Sequence, residues 1–363
     1  MMTKTTKNRR RTRTDKAMFK RICLSGSHAE RGSILVVVLW ALFFLAALAA
    51  SIYALLAPQI GLAGRLKDRT RLYYLAQAGA QKAMAVLAGD ETEDTDGFKD
   101  TWASSEGEFK DMHLGEDGYV SVSYKLLDDA GVEETRYGLV DEEGKININK
   151  ATADVLQQLF ELTALTTSQT ASDIADSILD WVDEDSEPHT NGAEDGYYEG
   201  LAQAYACKDA KFQVLEELLL VKGMTQDIFD KASAYLTVYG KGMVNLNTAD
   251  KYVLQALGMS NTLAEKVIQY RRGNDSQEAT SDDNIFESAE TVVASLSNGV
   301  GLSAEETEQL NTVIASGLAG VRSDHFSGES HAELRDDDEK ARLTTSIFFI
   351  MDREKNIRHW REQ

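Results

Sequence analysis

The chain has 363 residues, of which 43% are hydrophobic, and a formal net charge of −21. This length suffices for two or three domains with apolar cores, and so acidic a balance opposes binding to nucleic-acid phosphates. The cysteines are Cys23 and Cys207, and Cys23 lies in a basic N-terminal segment, so we expect no intrachain disulfide.

The N-terminal segment differs sharply from the rest. Residues 1–32 hold ten Lys or Arg against Asp15 and Glu30, a charge of +8, which leaves −29 on residues 33–363. Residues 33–64 carry no charged side chain, and about 20 apolar helical residues suffice to span a bilayer. The positive-inside rule therefore predicts one membrane-spanning helix, a cytoplasmic N-terminus and an exported acidic body. An ordinary signal anchor would show the same pattern.

The apolar run continues into an amphipathic stripe that ends near Leu87. Its members follow helical three- and four-residue spacings, namely Leu62, Leu66, Tyr73, Ala76, Ala80, Ala83 and Leu87. We predict one helix over residues 33–87, whose first half contacts lipid and whose second half docks on a soluble domain. Pro58 is a candidate bend.

The exported body combines strand and helix patterns. Residues 88–116 are acidic and predicted to be irregular, whereas 118–127, "ETRYGLVDE" and "KININ" are predicted to be antiparallel strands. The C-terminal "ARLTTSIFFIMDREKNIRHWREQ" predicts a hairpin that turns at 352–356. A long helical region, 149–317, lies between the two strand sets, so the predicted fold is α+β with an inserted all-α domain. Residues 88–148 and 318–363 would form the two parts of the sheet domain.

The helical region contains an internal repeat. "ININKATADVLQQL" at 146–159 matches "VNLNTADKYVLQAL" at 244–257, and a helix pattern follows each. These units resemble helix-hairpin-helix repeats, which raises the alternative of a membrane-anchored DNA-uptake receptor. The turn at 258–261 has a single Gly, and Arg271-Arg272 is the one basic pair nearby. Since phosphate-binding turns use Gly-rich backbone, a scaffold role is favoured over nucleic-acid binding.

The acidic stretch 180–195, "DWVDEDSEPHTNGAED", is the candidate metal site. Clustered carboxylates on a flexible loop are typical ligands for Ca²⁺. Pro188 occupies the place where an EF-hand needs Gly, and a solvated acidic loop is the open alternative. Asn191-Gly192 could turn the second acidic pair back onto the first. We interpret His189 as a surface residue rather than a zinc ligand. The candidate ligands are Asp180, Asp183, Asp185, Glu187, Glu194 and Asp195.

No catalytic motif accompanies these residues, so the chain is predicted not to be an enzyme; a calcium-dependent hydrolase is the remaining third class. The six histidines form no ligand pair at helical spacing. We therefore predict no catalytic residues.

Arg31-Gly32 directly before the apolar helix resembles the processing site of type IV prepilins and type II secretion pseudopilins. The stretches "LVDEEGKININKA", "ADSILDWVDEDSEPHTNGAEDGYY", "FQVLEELLLVKGMT" and "YLTVYGKGMVNLNTA" resemble the K-type minor pseudopilin, and so does apolar Val37 at the fifth mature position, where most pilins carry Glu.

The resemblance implies cleavage by prepilin peptidase between Gly32 and Ser33, methylation of the Ser33 amine, and removal of residues 1–32 as a leader. It also implies a single-pass protein of the bacterial inner membrane with a periplasmic body. Its expected partners are other minor pseudopilins at the filament tip, the peptidase and the inner-membrane secretion platform. Calcium in the helical insert and support of protein export follow from the same resemblance.

Overall fold

The computed structural model describes residues 30–90, 92, 94–127, 133–336, 338 and 340–363. The predicted leader lies outside these residues up to position 29. The chain divides after Arg65 into two units, each of which is described by itself.

Helix α1 spans Glu30–Leu87 and contributes to both units. In the first unit its side chains are solvent-exposed, for example Leu35 at 71% and Phe44 at 63%. Within the described residues, α1 is the one helix long and apolar enough to cross a membrane, with a mean hydropathy of 2.7. The predicted long N-terminal apolar helix is confirmed.

The described strands of the second unit are β1 (Met112–Leu114), β2 (Gly118–Leu127), β3 (Glu133–Arg136), β4 (Val140–Asp141), β5 (Ile146–Asn147), β6 (Leu236–Thr237), β7 (Val244–Asn245), β8 (Ala319–Gly320), β9 (His325–Arg335), β10 (Ala341–Asp352) and β11 (Ile357–Glu362). They form an antiparallel sheet in the strand order β1-β2-β9-β10-β11, in which β3 pairs with β2, and β4 with β9. Two short parallel pairs, β5 with β6 and β7 with β8, lie in the helical part.

The C-terminal part of α1 packs on one face of this sheet through small side chains. Ala76, Ala80 and Ala83 are buried against Val120, Val122, Phe349 and their neighbours. A Cβ at Gly79 would overlap Ser330 on β9, so the close approach of helix and sheet requires glycine there. The buried face begins at Leu72; Leu66, predicted to be part of it, is 56% exposed.

The helical part has its own apolar core, centred on residues such as Leu159, Ile178, Leu254 and Leu263. Most of its helices begin with hydroxyl or carboxylate caps; for example, the Thr167 side chain accepts from the Thr170 N–H, and Ser260 from the Leu263 N–H. The helices after α1 are α2 (Glu106–Phe109), α3 (Ala153–Ala164), α4 (Ser168–Val182), α5 (Asp195–Tyr198), α6 (Gln226–Ala232), α7 (Lys251–Ala256), α8 (Asn261–Arg271), α9 (Val292–Gly299) and α10 (Ala304–Ala315), with 3-10 turns at Glu142–Gly144, Leu215–Leu220, Ser233–Tyr235 and Ala289–Thr291.

The predicted α+β class and antiparallel sheet are confirmed, and three details of the prediction are corrected. "KININ" contributes β5, which pairs in parallel with β6 instead of joining the antiparallel sheet. The region 88–116, predicted to be irregular, contains α2 and β1 and buries Trp102 and Phe109. Residues 215–220 lie within the region 149–317 that was predicted to be helical, and they form a 3-10 turn. The apolar side chains of 88–116 are too widely spaced to produce a periodic signal.

The internal repeat corresponds to two strand–loop–two-helix units. In each unit the first Asn of the Asn-x-Asn motif accepts from the backbone N–H of the second, at 2.9 Å for Asn147 and 3.0 Å for Asn245. The second Asn bonds both backbone groups of one distant residue, Phe212 for Asn149 and Phe286 for Asn247. The repeat thus encodes side-chain satisfaction of buried backbone groups. Helix-hairpin-helix geometry is not confirmed.

Candidate metal centre

The acidic loop, which we define as residues 180–195, begins in the last turn of α4. The apolar face of α4, including Ile178 and Trp181, is buried in the helical core, and this orientation carries Asp180 inward until it is completely buried. Asp183 follows at the C-terminal end, where its N–H bonds the Leu179 carbonyl. The C-terminus of a helix carries partial negative charge. Carboxylates at this end therefore favour a nearby cation.

The loop folds back through a tight turn at 189–192. The Gly192 N–H donates to the His189 carbonyl at 3.0 Å, and a Cβ at Gly192 would overlap the Asp180 carboxylate. The Lys222 ammonium donates to the carbonyls of Asn191 and Gly192, each at 2.9 Å. This turn brings Glu194, which is buried, beside the C-terminus of α4.

The folded loop gathers three overlapping groups of possible ligand atoms, each within 4.8 Å. The central group is Asp183, Asp185 and Glu194. It shares Asp183 with the group of Asp180, Asp183 and His189, and it shares Glu194 with the group of Glu194, Cys207 and Asp209. Four of the six sequence-predicted ligands are therefore brought together: Asp180, Asp183, Asp185 and Glu194.

The other two predicted ligands lie elsewhere in the loop. Glu187 is exposed, and its backbone N–H bonds the Asp185 carboxylate at 2.9 Å. Asp195 accepts from the Cys207 N–H at 2.7 Å and thereby fixes the returning chain. Asp209 joins the cluster from outside the acidic run, and no spacing in the sequence identifies it.

His189, interpreted as a surface residue, is 44% exposed at its side chain but also contacts Asp180 through Nδ1. The Asp180 hydrogen bond raises the pKa of His189 above its ordinary value, although partial burial acts in the opposite direction. The imidazole therefore acts first as a partner of Asp180 Oδ1.

The carboxylate oxygens provide a direct test of whether these residues fit a cation. Within the described residues, three buried carboxylate oxygens have no hydrogen-bond donor: Asp180 Oδ2, Asp183 Oδ1 and Glu194 Oε1. Leaving a buried carboxylate oxygen without a partner is costly. Burial, followed by the charge of Asp180, raises the pKa of Glu194 to about 7, and burial and Asp185 raise that of Asp183. Several hard oxygen donors without internal partners suit Ca²⁺.

A second acidic stretch lies within "LVDEEGKININKA" and was not identified as a candidate site from its sequence. The Asp141–Glu143 turn joins β4 to β5, and all three carboxylates are buried. Asp141 accepts from Asn245, Thr248 and Ser323, at 2.8, 2.5 and 2.7 Å.

Its two neighbours are also fully partnered. Glu142 pairs with Lys145 and accepts from Thr237 and Ser327, each at 2.6 Å. Glu143 accepts from the His325 backbone at 2.9 Å and contacts its ring.

Arg353 extends this network to two further acids. Its guanidinium pairs with buried Asp96 and with Asp90, and its Nε donates to the Ser323 carbonyl at 2.8 Å. Burial raises the pKa of Asp96, and the charge of Arg353 opposes that rise. The network links the sheet to the helical part through β4, β7 and β9, and its satisfied carboxylates require no metal.

Residues 136–241, which include both acidic stretches, match the family model of type II secretion system protein K. Over this segment the chain is similar to the type II secretion system protein K family. The predicted family resemblance is thus confirmed, and the DNA-uptake alternative receives no support from these matches.

Curated protein K relatives match parts of the chain. The protein of Dickeya chrysanthemi is 32% identical over 127 residues, 33% of this chain and 34% of the relative. The Pectobacterium carotovorum protein is 26% identical over 140 residues, 36% of this chain and 42% of the relative. In the matched regions the chain thus spans 34% and 42% of the length of these two relatives.

The fold is shared more widely than the sequence. A chain in the crystal structure of the GspK–GspI–GspJ complex from the type 2 secretion system of enterotoxigenic Escherichia coli has a TM-score of 0.60 and 17% identity. The match covers 83% of this chain and 99% of that chain. At this identity it establishes the common fold.

Proposed function

We propose that the chain is a minor pseudopilin that caps the tip of the type II secretion pseudopilus and thereby supports protein export across the outer membrane. The observation that carries this proposal is the protein K match over residues 136–241, within a fold that extends over 83% of the chain. The family is a structural component of the secretion system, not a known family of enzymes, and we propose no catalytic role.

Size and charge support a position at the tip. The second unit spans residues 66–363, and much of it is helical domain added to the sheet. A subunit in a filament shaft must leave room for the next subunit, and a body of this size makes that difficult. Val37 also lacks the carboxylate that could pair with a neighbour's terminal amine inside the bilayer.

The partners that we propose are other minor pseudopilins, because the similar fold occurs in a complex named for GspK, GspI and GspJ. Helix α1 and the sheet are the surfaces that we assign to these contacts. The inner-membrane secretion platform would hold the subunit before assembly.

Processing by prepilin peptidase would occur between Gly32 and Ser33, with methylation at Ser33. The basic segment 1–32 and the uncharged segment 33–64 support a cytoplasmic N-terminus, a single span of the inner membrane and a periplasmic body. Mass spectrometry of the membrane-purified protein should find Ser33 as the N-terminal residue. Gly32→Glu should leave the precursor uncut, while Gly61→Glu, within α1 but away from the processing site, should not prevent cleavage. An N-terminus near Ala57 would refute the pseudopilin assignment.

We also propose that the acidic loop binds Ca²⁺. Asp180, Asp183, Asp185 and Glu194 would hold the ion, with Asp209 as a further candidate. A bound divalent cation supplies positive charge that compensates the buried carboxylates. Two further residues would position the ligands. Lys222 bonds the Asn191 carbonyl in the turn, and Asp195 accepts from the Cys207 N–H in the returning segment.

The tip assignment is tested by locating the full-length protein in assembled pseudopili with a single fluorescent or gold label. We expect about one copy per filament, at one end, and co-purification with other minor pseudopilins. Labels distributed evenly along the shaft would contradict the proposal.

A further inference from the structure

Cys207 lies beside the acidic loop and is the one cysteine among the described residues. It is buried, at 7% exposure, and its Sγ donates to the Asp180 carbonyl at 3.6 Å. Its N–H donates to the Asp195 carboxylate at 2.7 Å, and the Ala210 N–H donates to the Trp181 carbonyl at 3.4 Å. The segment 207–210 is therefore held against the end of α4, which fixes the position of the thiol relative to the loop.

The thiol is part of one of the three ligand groups. The Cys207 Sγ and one carboxylate oxygen each from Glu194 and Asp209 lie within 4.8 Å of one another. Asp209 belongs to this group and not to the group of Asp183, Asp185 and Glu194. Glu194 is the member that the two groups share, so the described ligand atoms define a second position beside the proposed calcium ligands.

Glu194 is the member of this group that points to a bound ion. It is 7% exposed, and its Oε1 has no hydrogen-bond partner within the described residues. Burial of an oxygen without a partner is costly, and a cation would remove that cost. Asp209 is exposed, so an ion can reach the group from solvent.

The donor atoms favour a different ion from Ca²⁺. Ca²⁺ is bound by six to eight oxygen ligands, whereas a thiolate is a soft ligand that selects ions such as Zn²⁺. Zn²⁺ also accepts carboxylate oxygens and is usually four-coordinate. One sulfur and two carboxylates would therefore supply three ligands, and a water molecule would complete the shell.

We propose that Glu194, Cys207 and Asp209 form a second metal site, which binds Zn²⁺ through one thiolate and two carboxylates. Binding forms a zinc–sulfur bond and releases the thiol proton to solvent, without a change of oxidation state. Because both sites use Glu194 and would hold two dications close together, each ion should lower the affinity for the other by the same factor. The zinc site would exist even if the acidic loop bound no Ca²⁺.

The test uses the full-length chain in detergent, stripped of metal, kept reduced with a phosphine and titrated with Co²⁺ as a spectroscopic probe for Zn²⁺. A cobalt–thiolate bond absorbs in the near ultraviolet. This absorption should saturate at one sulfur-bound Co²⁺ per chain and disappear when Zn²⁺ is added. Competition with a chromophoric chelator gives the Zn²⁺ affinity.

Two cysteine variants locate the site. Cys207→Ala keeps a small apolar side chain in the core, and it should abolish the absorption and weaken Zn²⁺ binding at least tenfold. Cys23→Ala removes the thiol of the basic N-terminal segment and should change neither quantity. Calorimetry should find the Ca²⁺ affinity of metal-stripped Cys207→Ala unchanged, because a thiol is not a calcium ligand. This result would also show that the variant is folded, and it separates the zinc proposal from the calcium proposal.

A measurement on the unaltered chain complements the variants. Zn²⁺ should slow alkylation of Cys207, located by peptide mass spectrometry, at least tenfold, whereas Ca²⁺ should slow it much less. Absorption that persists in Cys207→Ala, equal Zn²⁺ affinity with and without Cys207, or alkylation that Zn²⁺ does not slow would overturn the proposal. Cys207 would then be an apolar core residue only.

Discussion

The Asp141–Glu143 turn and the acidic loop at 180–195 have similar compositions but opposite electrostatic situations. In the turn, each buried carboxylate has donors or a cation, including Lys145 for Glu142. In the loop, buried oxygens of Asp180, Asp183 and Glu194 have no donor in the described structure. The difference arises from neighbours that are distant in sequence. The carboxylates of the turn are satisfied by donors and cations from the chain itself, whereas the loop is suited to an external cation.

Removing Arg353, the cation that pairs with Asp96 and Asp90 in the network around the turn, should have the largest effect on stability. Arg353→Met leaves Asp96 buried without its guanidinium, and breaking a buried pair costs about 3–5 kcal/mol of unfolding free energy. Urea denaturation of the full chain should show the same loss with Ca²⁺ and with EGTA. Arg342→Met, which removes an exposed arginine, should cost less than about 1 kcal/mol. A loss that appears only in EGTA would mean that the two regions are not independent.

A matched pair of substitutions should distinguish the two regions by the sign of the change in unfolding free energy. Glu142→Gln weakens the contact with Lys145 and should lower the unfolding free energy by about 2 kcal/mol. Glu194→Gln removes a buried charge that lacks a full set of donors, so in EGTA it should be neutral or raise the unfolding free energy by about 1 kcal/mol. The same variant should lose the stabilisation by Ca²⁺. Equal destabilisation by both substitutions in EGTA would contradict the comparison.

The turn at 189–192 should control metal affinity through Lys222. Lys222→Met removes the ammonium that bonds the Asn191 and Gly192 carbonyls, and loss of such a supporting contact typically weakens metal binding by about tenfold or more. Calcium titration calorimetry should show this loss, and Lys222→Arg should recover part of the affinity. Lys241→Met removes an exposed lysine outside the loop and should leave the affinity unchanged. Wild-type affinity in Lys222→Met would exclude a positioning role.

Glu194 in the acidic loop and Glu142 in the turn should also respond oppositely to pH. Burial, then Asp180, raises the folded-state pKa of Glu194 from 4.5 to about 7, so its ionisation destabilises the metal-free protein as pH rises through that window. Burial acts to raise the pKa of Glu142, but Lys145 and the hydroxyl donors outweigh it and the pKa is lowered. The stability that ionised Glu142 contributes is therefore present at pH values above its unfolded-state pKa, and it is lost as the pH falls through its lower folded-state pKa.

Urea titrations in EGTA should detect both effects. The stability advantage of Glu194→Gln over wild type should shrink from pH 7 to pH 5, whereas the deficit of Glu142→Gln should persist over this range. Calcium affinity should fall by up to about tenfold per unit below pH 7, because binding requires ionised Glu194. A pH-independent affinity between pH 5 and pH 8 would contradict the assignment of Glu194 as a ligand.

Sequence periodicity predicted the elements whose signal is local. The uncharged run at 33–64, the C-terminal hairpin and the Val-Leu-x-x-Leu faces after each Asn-x-Asn motif all contain their own evidence. The pairing of β5 with β6 could not be predicted, since the two strands lie about 90 residues apart in the sequence. Strand β9 lies in the segment 318–363 that was assigned to the sheet domain, but its bounds were not predicted, because Ser327 and Ser330 are buried beside Gly328 and interrupt its apolar alternation.

The candidate site, like the fold, could be predicted only where its signal is local in the sequence. Clustered acids identified the loop, and Asn191-Gly192 identified its turn. Composition could not distinguish the outward Glu187 from the buried Glu194, since this depends on how the chain returns to α4. Asp209 and Lys222 reach the site from other segments, and the partners of Asp141 come from β7 and the segment before β9.

The most direct measurement is a Ca²⁺ titration of the full-length, EGTA-stripped protein in detergent at pH 7.5, followed by melting temperature and calorimetry. We expect saturable binding and a higher Tm, equivalent to about 2.7 kcal/mol at a hundredfold excess over Kd, with Mg²⁺ much less effective. Asp183→Asn combined with Glu194→Gln should abolish the shift, while Arg353→Met should melt lower but retain it. A wild-type Tm that is the same in Ca²⁺ and EGTA would contradict the account and leave the acidic loop as a solvated surface segment.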